Sequence, residues 1–481
     1  MSDLAALRAQ AKALRAEGRR EAAAEAWAAL LAASPDDPEA LFRVGEDKLY
    51  GGWAEDADSL FLASFQRRRD PAAIGMALLA RLYRSVPAER RRDVIETWAR
   101  AHAPADPVPV HRIADRNPQR PLRLGYLSAD LRAHPVGLTL WVLFHCHDRH
   151  RFEVHAFATK RHGDDIAAQL ERAADVWHDV SGLRDDAIAA AIAAAGIDIL
   201  VAPAAQFDDN RVGVLRRRPA PVQVVSNSAA TTGMPEADYF LGDFVGTPRN
   251  GPEWFSERVL RLPCYTVAPL PAELPPVAPL PALQDGRVTF GCFGSPAKIG
   301  AECVALWSRV LKAVPQSDML LKYRDVYGWA AVRERVLALF SASGIDPQRV
   351  RFVREGQVRT NHLAAYAEVD IALDTVPFNG VTTTFEALAM GAPVIALNGE
   401  TMAARSAASV LIGAGLAPLV ADDAEGYAMR AAELASNLPR LSALRGTLRR
   451  RVEKAAYCDA RGHTRWTERY FRAIWRRYCL T

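Results

Sequence analysis

The sequence predicts an α/β protein: two doubly wound parallel-sheet domains facing a cleft, preceded by an all-α segment. Three observations carry that expectation. A thirty-four-residue helical repeat occupies the first hundred residues, short apolar strands alternate with Ala-rich helices from about residue 120, and a proline-rich tract near residue 270 interrupts that alternation before it resumes. With 481 residues, half of them apolar and 24% charged, the chain can fill two or three cores without staples.

The repeat comes first. Gly18, Ala23, Trp27 and Asp37 recur thirty-four residues on as Gly52, Ala57, Phe61 and Pro71, with Pro38 offset by one from the last pair. Thirty-four is the tetratricopeptide period: small residues where paired helices approach, one aromatic filling the groove, and a Pro-containing turn that stops the helix. About two units are visible in 1–103, with a further helical stretch at 81–103, so the stack is expected to lean on the rest of the chain. Both a shielding cap and a peptide-recognition groove fit it.

A Pro-rich break at 103–109 precedes the first α/β domain, expected over 120–267 with strands at 123–128, 152–157, 197–201 and 222–225 and a helix at 185–195. The tract 268–281 suits an interdomain linker. Strands at 288–293, 319–322, 350–353, 371–374 and 393–396 build the second domain, 283–456, and residues 457–481 form a helix packing back on the catalytic domains. Ligands in such folds sit beyond the carboxyl ends of the strands.

Composition removes several classes. The six cysteines are scattered without a C-x-x-C or a His partner, so free thiols are expected and neither zinc nor a disulfide framework is signalled. Asp422-Asp423 and Asp164-Asp165 read as loop acids, and no metal or other cofactor is expected. The N-terminus lacks a basic n-region followed by an apolar run, and no apolar stretch approaches the ~20 residues of a membrane span, which predicts a cytoplasmic protein. A net charge of +4, with Arg clusters dispersed at 67–69, 216–218 and 449–451, gives no nucleic-acid signature.

The most informative segment runs from Leu373 to Leu388. A strand ends near Asp374, a small-residue turn follows through Asn379 and Gly380, and Thr382 to Thr384 open a helix. Backbone N–H groups, hydroxyls and the positive end of the helix dipole would converge there, as a diphosphate requires. Glu386, one turn further on the Thr382 face, could accept hydrogen bonds from ribose hydroxyls. Taken alone, the same residues also read as a Thr N-cap and an ordinary helical Glu.

The run 370–375, then Asn379-Gly380-Val381-Thr382-Thr383, then 399–409, is similar to the catalytic region of the O-GlcNAc transferase family. So are 123–130 with His134-Pro135 behind it, 218–223, and Phe293-Gly294-Ser295-Pro296-Ala297-Lys298-Ile299. The matches keep their order over about three-quarters of the chain, from about 121 to Tyr478. The resemblance implies a GT-B glycosyltransferase: two Rossmann-like domains facing a cleft, behind tetratricopeptide-like helices. It implies a nucleotide-sugar donor of UDP type and no metal; Lys298 then neutralises the departing diphosphate. Gly380, Thr382 and Thr383 would bind that diphosphate, Glu386 stands where the family has a ribose-binding aspartate, and His362 matches a histidine packed on the base. Arg405 and Lys322 are lesser candidates. His134 matches the family's active-site histidine near acceptor and sugar, although a lone His at such a turn also reads as a cap.

The departures lie on the sugar side. Val224 to Gly233 replaces a Trp- and Gly-rich stretch, Val381 replaces a histidine, and Ala202-Pro203-Ala204-Ala205-Gln206 replaces an Asp-x-x-Gly segment. The resemblance therefore implies inverting transfer of a sugar, UDP-GlcNAc or a related donor, to Ser or Thr of a protein. Flagellin or another surface protein receiving a different sugar, such as a CMP-nonulosonic acid, is one alternative, and a degenerate nucleotide-binding scaffold is another.

Overall fold

The computed structural model describes residues 2–104, 113–206, 208–271, 273–353 and 359–480. Most of the predicted break at 103–109 lies outside them. The chain divides into two compact units. One comprises Met1–Val94, Glu273–Gly399 and Ala417–Arg450, the other Ile95–Ala272, Glu400–Leu416 and Arg451–Thr481.

The first unit opens with helices α1 (Ser2–Ala16), α2 (Arg20–Ala33), α3 (Pro38–Gly51), α4 (Ala54–Arg68) and α5 (Pro71–Leu82), each packed on the next. The repeat is real in its physics. Trp27 and Phe61 are buried at equivalent places on α2 and α4, Ala23 and Ala57 beside them, and Gly18 and Gly52 both take left-handed backbone, φ 75° and 96°. One pairing needs correction. Asp37 and Asp70, not Asp37 and Pro71, are the equivalent residues: each caps a helix, accepting from Ala40 N at 2.9 Å and Ala72 N at 3.1 Å, with Pro38 and Pro71 following at the first helical position. The second half-repeat is thus thirty-three residues away.

These helices rest on the second sheet of the chain, as the shortness of the stack led us to expect. Trp53, at the start of α4, packs against the core formed by Phe290, Trp307 and Leu321. That sheet contains β8 (Val288–Cys292), β9 (Ser317–Lys322), β10 (Val350–Val353), β11 (Ile371–Leu373), β12 (Val394–Leu397) and β13 (Val420–Ala421), labels continuing from the seven strands of the other unit described below. All pairings are parallel, in the order β10-β9-β8-β11-β12-β13. Strand order reverses between β8 and β11, where Phe290 pairs with Ile371, and that reversal opens the crevice for a ligand.

In the other unit β1 (Leu122–Ser128), β2 (Phe152–Ala158), β3 (Val176–Asp179), β4 (Ile199–Pro203), β5 (Val222–Ser226), β6 (Tyr239–Asp243) and β7 (Arg258–Leu262) form a parallel sheet ordered β3-β2-β1-β4-β5-β6-β7. The central strands are almost wholly buried, which is why they read as continuous apolar runs. The terminal helix Ala460–Cys479 lies on this sheet. Phe471, Ile474 and Trp475 enter its core, and Arg472 donates to Pro118 O at 3.0 Å and Arg120 O at 2.9 Å.

One boundary differs from expectation. Residues 400–416, read as part of the second domain, belong with the first sheet, because Ser409 Oγ donates to the buried Asp243 at 2.6 Å and Met402 N to Glu253 at 2.6 Å. The division between the units falls inside the Pro-rich tract, as a linker requires, and the tract is anchored on both sides. Ala268 N donates to Tyr457 O at 3.0 Å, Arg449 reaches Pro275 O at 2.6 Å and Arg445 reaches Ala278 O at 2.7 Å. All six cysteines are free thiols. Among the described residues no helix is long and apolar enough to cross a membrane, and no cluster of three or more His, Cys, Asp or Glu could hold a metal.

Candidate functional site

The site on the second sheet grows from the loop joining β11 to the helix Thr382–Ala389. That loop is wired to itself. Asp374 Oδ1 accepts from Gly380 N at 2.8 Å, Thr375 Oγ1 donates to Phe378 O at 2.7 Å, and Asn379 Nδ2 donates to Thr375 O at 2.9 Å. From below, Trp307 Nε1 and Tyr427 Oη both donate to Asp374 O, at 3.0 and 3.1 Å. The backbone therefore has little freedom at the point where it meets the helix.

The helix opens without a side-chain cap, since its N-cap position is held by Val381. Its first-turn N–H groups have no intrahelical acceptors, so the positive end of the helix points at Thr382 and Thr383 without a resident carboxylate or hydroxyl cap. Gly380 is required by close approach. A Cβ there would stand 2.2 Å from Thr383 Oγ1 and 3.2 Å from Asp374 Oδ1.

Lys298 reaches the same spot from the turn after β8. Its Nζ donates to Asn379 O at 2.8 Å and lies 4.2 Å over the Phe378 ring. Burial pulls the ammonium below the ordinary lysine value, with the nearby Asp374 carboxylate opposing the shift. Burial in turn raises Asp374, against the Gly380 N–H bond and Lys298. A cation, an uncapped helix and two hydroxyls thus share one corner, an arrangement suited to a leaving group that gains negative charge.

A second corner collects Lys322, His362 and Glu386. Lys322 Nζ lies 3.0 Å from His362 Nδ1, and His362 Nε2 lies 3.1 Å from Glu386 Oε2. With the ammonium as the only possible donor in the first contact, Nδ1 accepts and Nε2 carries the proton that goes to the carboxylate. Burial lowers Lys322, and Glu386 opposes it. Phe293 and Tyr366, ring centroids 4.3 Å apart, flank the imidazole. Glu386 is buried and spends one oxygen on His362, an engagement the sequence did not anticipate.

Seven of the nine residues singled out by sequence, Lys298, Lys322, His362, Gly380, Thr382, Thr383 and Glu386, are thus in one unit around the β8–β11 crevice. His134 and Arg405 belong to the other unit. His134 caps the helix Pro135–Cys146: Nδ1 accepts from Val136 N at 3.4 Å and lies 3.5 Å from Asp130 Oδ1, with the side chain 34% exposed. Asp130 is positioned by Asn210, which also takes Ala129 N at 2.8 Å, at the carboxyl end of β1. Arg405 precedes the helix Ser406–Gly413, and its Nε is buried without a hydrogen-bond partner among the described residues. Sequence assigns no role to Asp374, Phe378 or Asn379, which the structure places around Lys298. The signal lies in the unbroken stretch from the strand end to Gly380, a turn too short to leave those side chains far from the start of the helix.

Comparison with known proteins bears on this geometry. The sequence pattern described as "Glycosyl transferase family 41" matches residues 94–267 and 280–466. A Solanum lycopersicum protein named "Probable UDP-N-acetylglucosamine--peptide N-acetylglucosaminyltransferase SPINDLY" is 36% identical over 374 residues, 75% of this chain and 39% of its own. The corresponding Arabidopsis thaliana protein named SEC is 29% identical over 371 residues, 74% of this chain and 37% of its own. The chain thus spans about two-fifths of the length of the curated relatives it matches. A solved structure, a lysine-to-methionine mutant of the Thermobaculum terrenum O-GlcNAc transferase, superposes with a TM-score of 0.87 at 31% identity, covering 100% of this chain and 98% of that one.

Proposed function

The chain belongs to glycosyl transferase family 41 and has its GT-B fold, and on that premise we propose that it transfers a sugar from UDP-GlcNAc or a related UDP-sugar to a Ser or Thr hydroxyl of a protein, with inversion. The observation that carries this reading is the placement of Lys298. Its ammonium is held by Asn379 O and the Phe378 face beside the uncapped start of the Thr382–Ala389 helix. Lys298, Gly380, Thr382 and Thr383 take the diphosphate, so that charge developing on the leaving group meets a fixed cation and fixed dipoles. The positive charge at that corner comes from the chain itself, and the reading uses no metal. Glu386 takes the ribose with the oxygen that His362 leaves open, and His362 takes the base. His134 serves the sugar and acceptor, and Arg405 is a lesser candidate for the nucleotide-sugar.

Names of relatives support the donor: those quoted above describe UDP-N-acetylglucosamine–peptide transferases. The acceptor is read as a protein presented in the cytoplasm, flagellin being one candidate.

Substitution of Lys298 by Ala tests the core of the proposal. Removing one such electrostatic donor costs about 10²–10³ in turnover, with the fold retained. Unchanged glycosylation in that variant defeats the role given to Lys298. The altered segments 202–206 and 226–232 favour a second reading in which another activated sugar, a CMP-nonulosonic acid among them, is used, or in which the chain is a nucleotide-binding scaffold. Calorimetry against UDP, GDP, CMP and their sugar conjugates, beside a glycosylation assay, separates these: selective binding of a UDP-sugar with transfer supports the first, a CMP-sugar the second, and nucleotide binding without transfer the scaffold.

A further inference from the structure

The helical repeat touches the very residues that hold Lys298. Tyr83, the residue that ends α5, packs edge-on against the Phe378 ring, with centroids 5.1 Å apart and planes at 69°. The Lys298 ammonium lies over that same ring. A second contact lies behind the lysine. Gly52, in the α3–α4 turn, sits so close to the turn Pro296–Lys298 that a Cβ would be 2.6 Å from Pro296 O. Arg335 donates both to Gly52 O and to Ile299 O, the residue after the lysine, and Ser85 Oγ donates to Glu302 at 2.6 Å.

We propose that Tyr83 is a positioning residue for the donor site: it fixes the Phe378 ring, and through it the ammonium of Lys298, so that the helical repeat is a structural part of the diphosphate clamp. The inference rests on the reading of Lys298 as the diphosphate cation. It is a specific claim about one side chain, because the backbone of the 374–380 loop is held independently by Asp374, Thr375 and Asn379. Losing Tyr83 leaves that backbone in place. What it frees is the ring, which is only half-buried, and with it the platform under Nζ. The Asn379 carbonyl still holds the ammonium, so the effect is partial.

The test uses the full chain and UDP as the calorimetric probe. An edge-to-face pair of this kind contributes on the scale of a two- to twelvefold change in an equilibrium, so Tyr83→Leu, which keeps apolar volume and removes the ring edge, is expected to weaken UDP binding about fivefold. Tyr83→Phe is expected to bind UDP as the parent does, because the ring edge survives. In a Lys298→Ala background Tyr83→Leu is expected to have no further effect, since the group it positions is gone. Parental affinity in Tyr83→Leu overturns the proposal. So does an equal loss in both backgrounds, which would mark general loosening, and so does failure of Tyr83→Phe to rescue. Full UDP affinity in Lys298→Ala alone instead defeats the role assigned to Lys298, and is seen before Tyr83 is touched. Should Tyr83→Leu not fold, Phe378→Leu removes the platform from the other side and carries the same expectations in the same two backgrounds.

Discussion

Adding one methyl group at residue 380 separates the geometry of the phosphate corner from its composition. In Gly380→Ala the new Cβ would lie 2.2 Å from Thr383 Oγ1, about 1 Å inside an ordinary contact, while its approaches to Asp374 Oδ1 and Thr384 Oγ1, at 3.2 and 3.4 Å, are close but tolerable. The backbone at 380 is not left-handed, so Ala itself brings no strain of its own there. The cheapest relief is rotation of Thr383 to its other helical rotamer, which carries the hydroxyl away from the helix start. A hydrogen bond to a charged group contributes about 1.5–3 kcal/mol, so UDP affinity is expected to fall roughly 10- to 150-fold with little change in melting temperature. Calorimetry with UDP, beside a thermal scan, reads both. The reasoning is refuted if Gly380→Ala binds UDP normally, or if it costs as much in a Thr383→Ala background, where no hydroxyl remains to be displaced.

Two pH effects follow from buried groups. Burial holds Lys298 below its ordinary value of 10.5, and a bound diphosphate restores the charged form, so UDP binding at alkaline pH, between the lowered value and 10.5, takes up a proton; calorimetry in buffers of different ionisation heat measures it, and Lys298→Ala abolishes it. His463, on the terminal helix, is lowered by burial from 6.5 to about 4. The folded state therefore binds fewer protons than the unfolded one between those values, and stability falls as pH drops from 6.5 towards 4, by about 3 kcal/mol for this group. Denaturant titrations at pH 7 and pH 4.5 should show a smaller acid loss in His463→Gln than in the parent.

The central strands and the repeat were legible because each rests on a strong local pattern. β1, β4 and β5 are buried on both faces and read as unbroken apolar runs; Trp27 and Phe61 mark the repeat because one large side chain fills each groove. The strands that were missed lie towards sheet margins. β7 sets Arg258 and Arg261 among apolar residues at an edge and β3 carries Trp177, His178 and Asp179 with only partial burial, while the two-residue β13 at the other sheet's edge and β6, buried beside β7, were missed as well. Such segments take their conformation from the neighbour they pair with, and no pattern within them announces it. The corner proposed for the diphosphate was legible in its geometry for the opposite reason: strand end, tight turn and helix start are contiguous, so sequence order alone brings Asp374, Gly380 and Thr383 together. The Lys322–His362–Glu386 chain was not legible as a chain, since its members come from β9 and two separate helices. Nor was the role of Tyr83 against Phe378, which joins residues almost three hundred positions apart.

The sugar-side departures look like separate changes in the sequence, but the fold joins them. Residues 202–206 complete β4 and continue beyond it, and residues 226–230 do the same for β5, its neighbour in the sheet. Ala204 N donates to Ser226 O at 2.9 Å and Ala205 N to Ser228 Oγ at 2.8 Å. Gln206 gives its amide to Ala230 O at 2.5 Å and accepts from Ala229 N at 3.2 Å. Two residues on, Thr231 and Thr232 both donate to the buried Glu257. None of the side-chain polar atoms in these two stretches is buried without a partner among the described residues. Each such orphan would cost about 1–3 kcal/mol of folding free energy. Here Gln206 closes both ends of its amide on the opposite segment. The two stretches therefore satisfy each other's polar groups, so a substitution in one, such as Gln206→Ala, removes partners from the other.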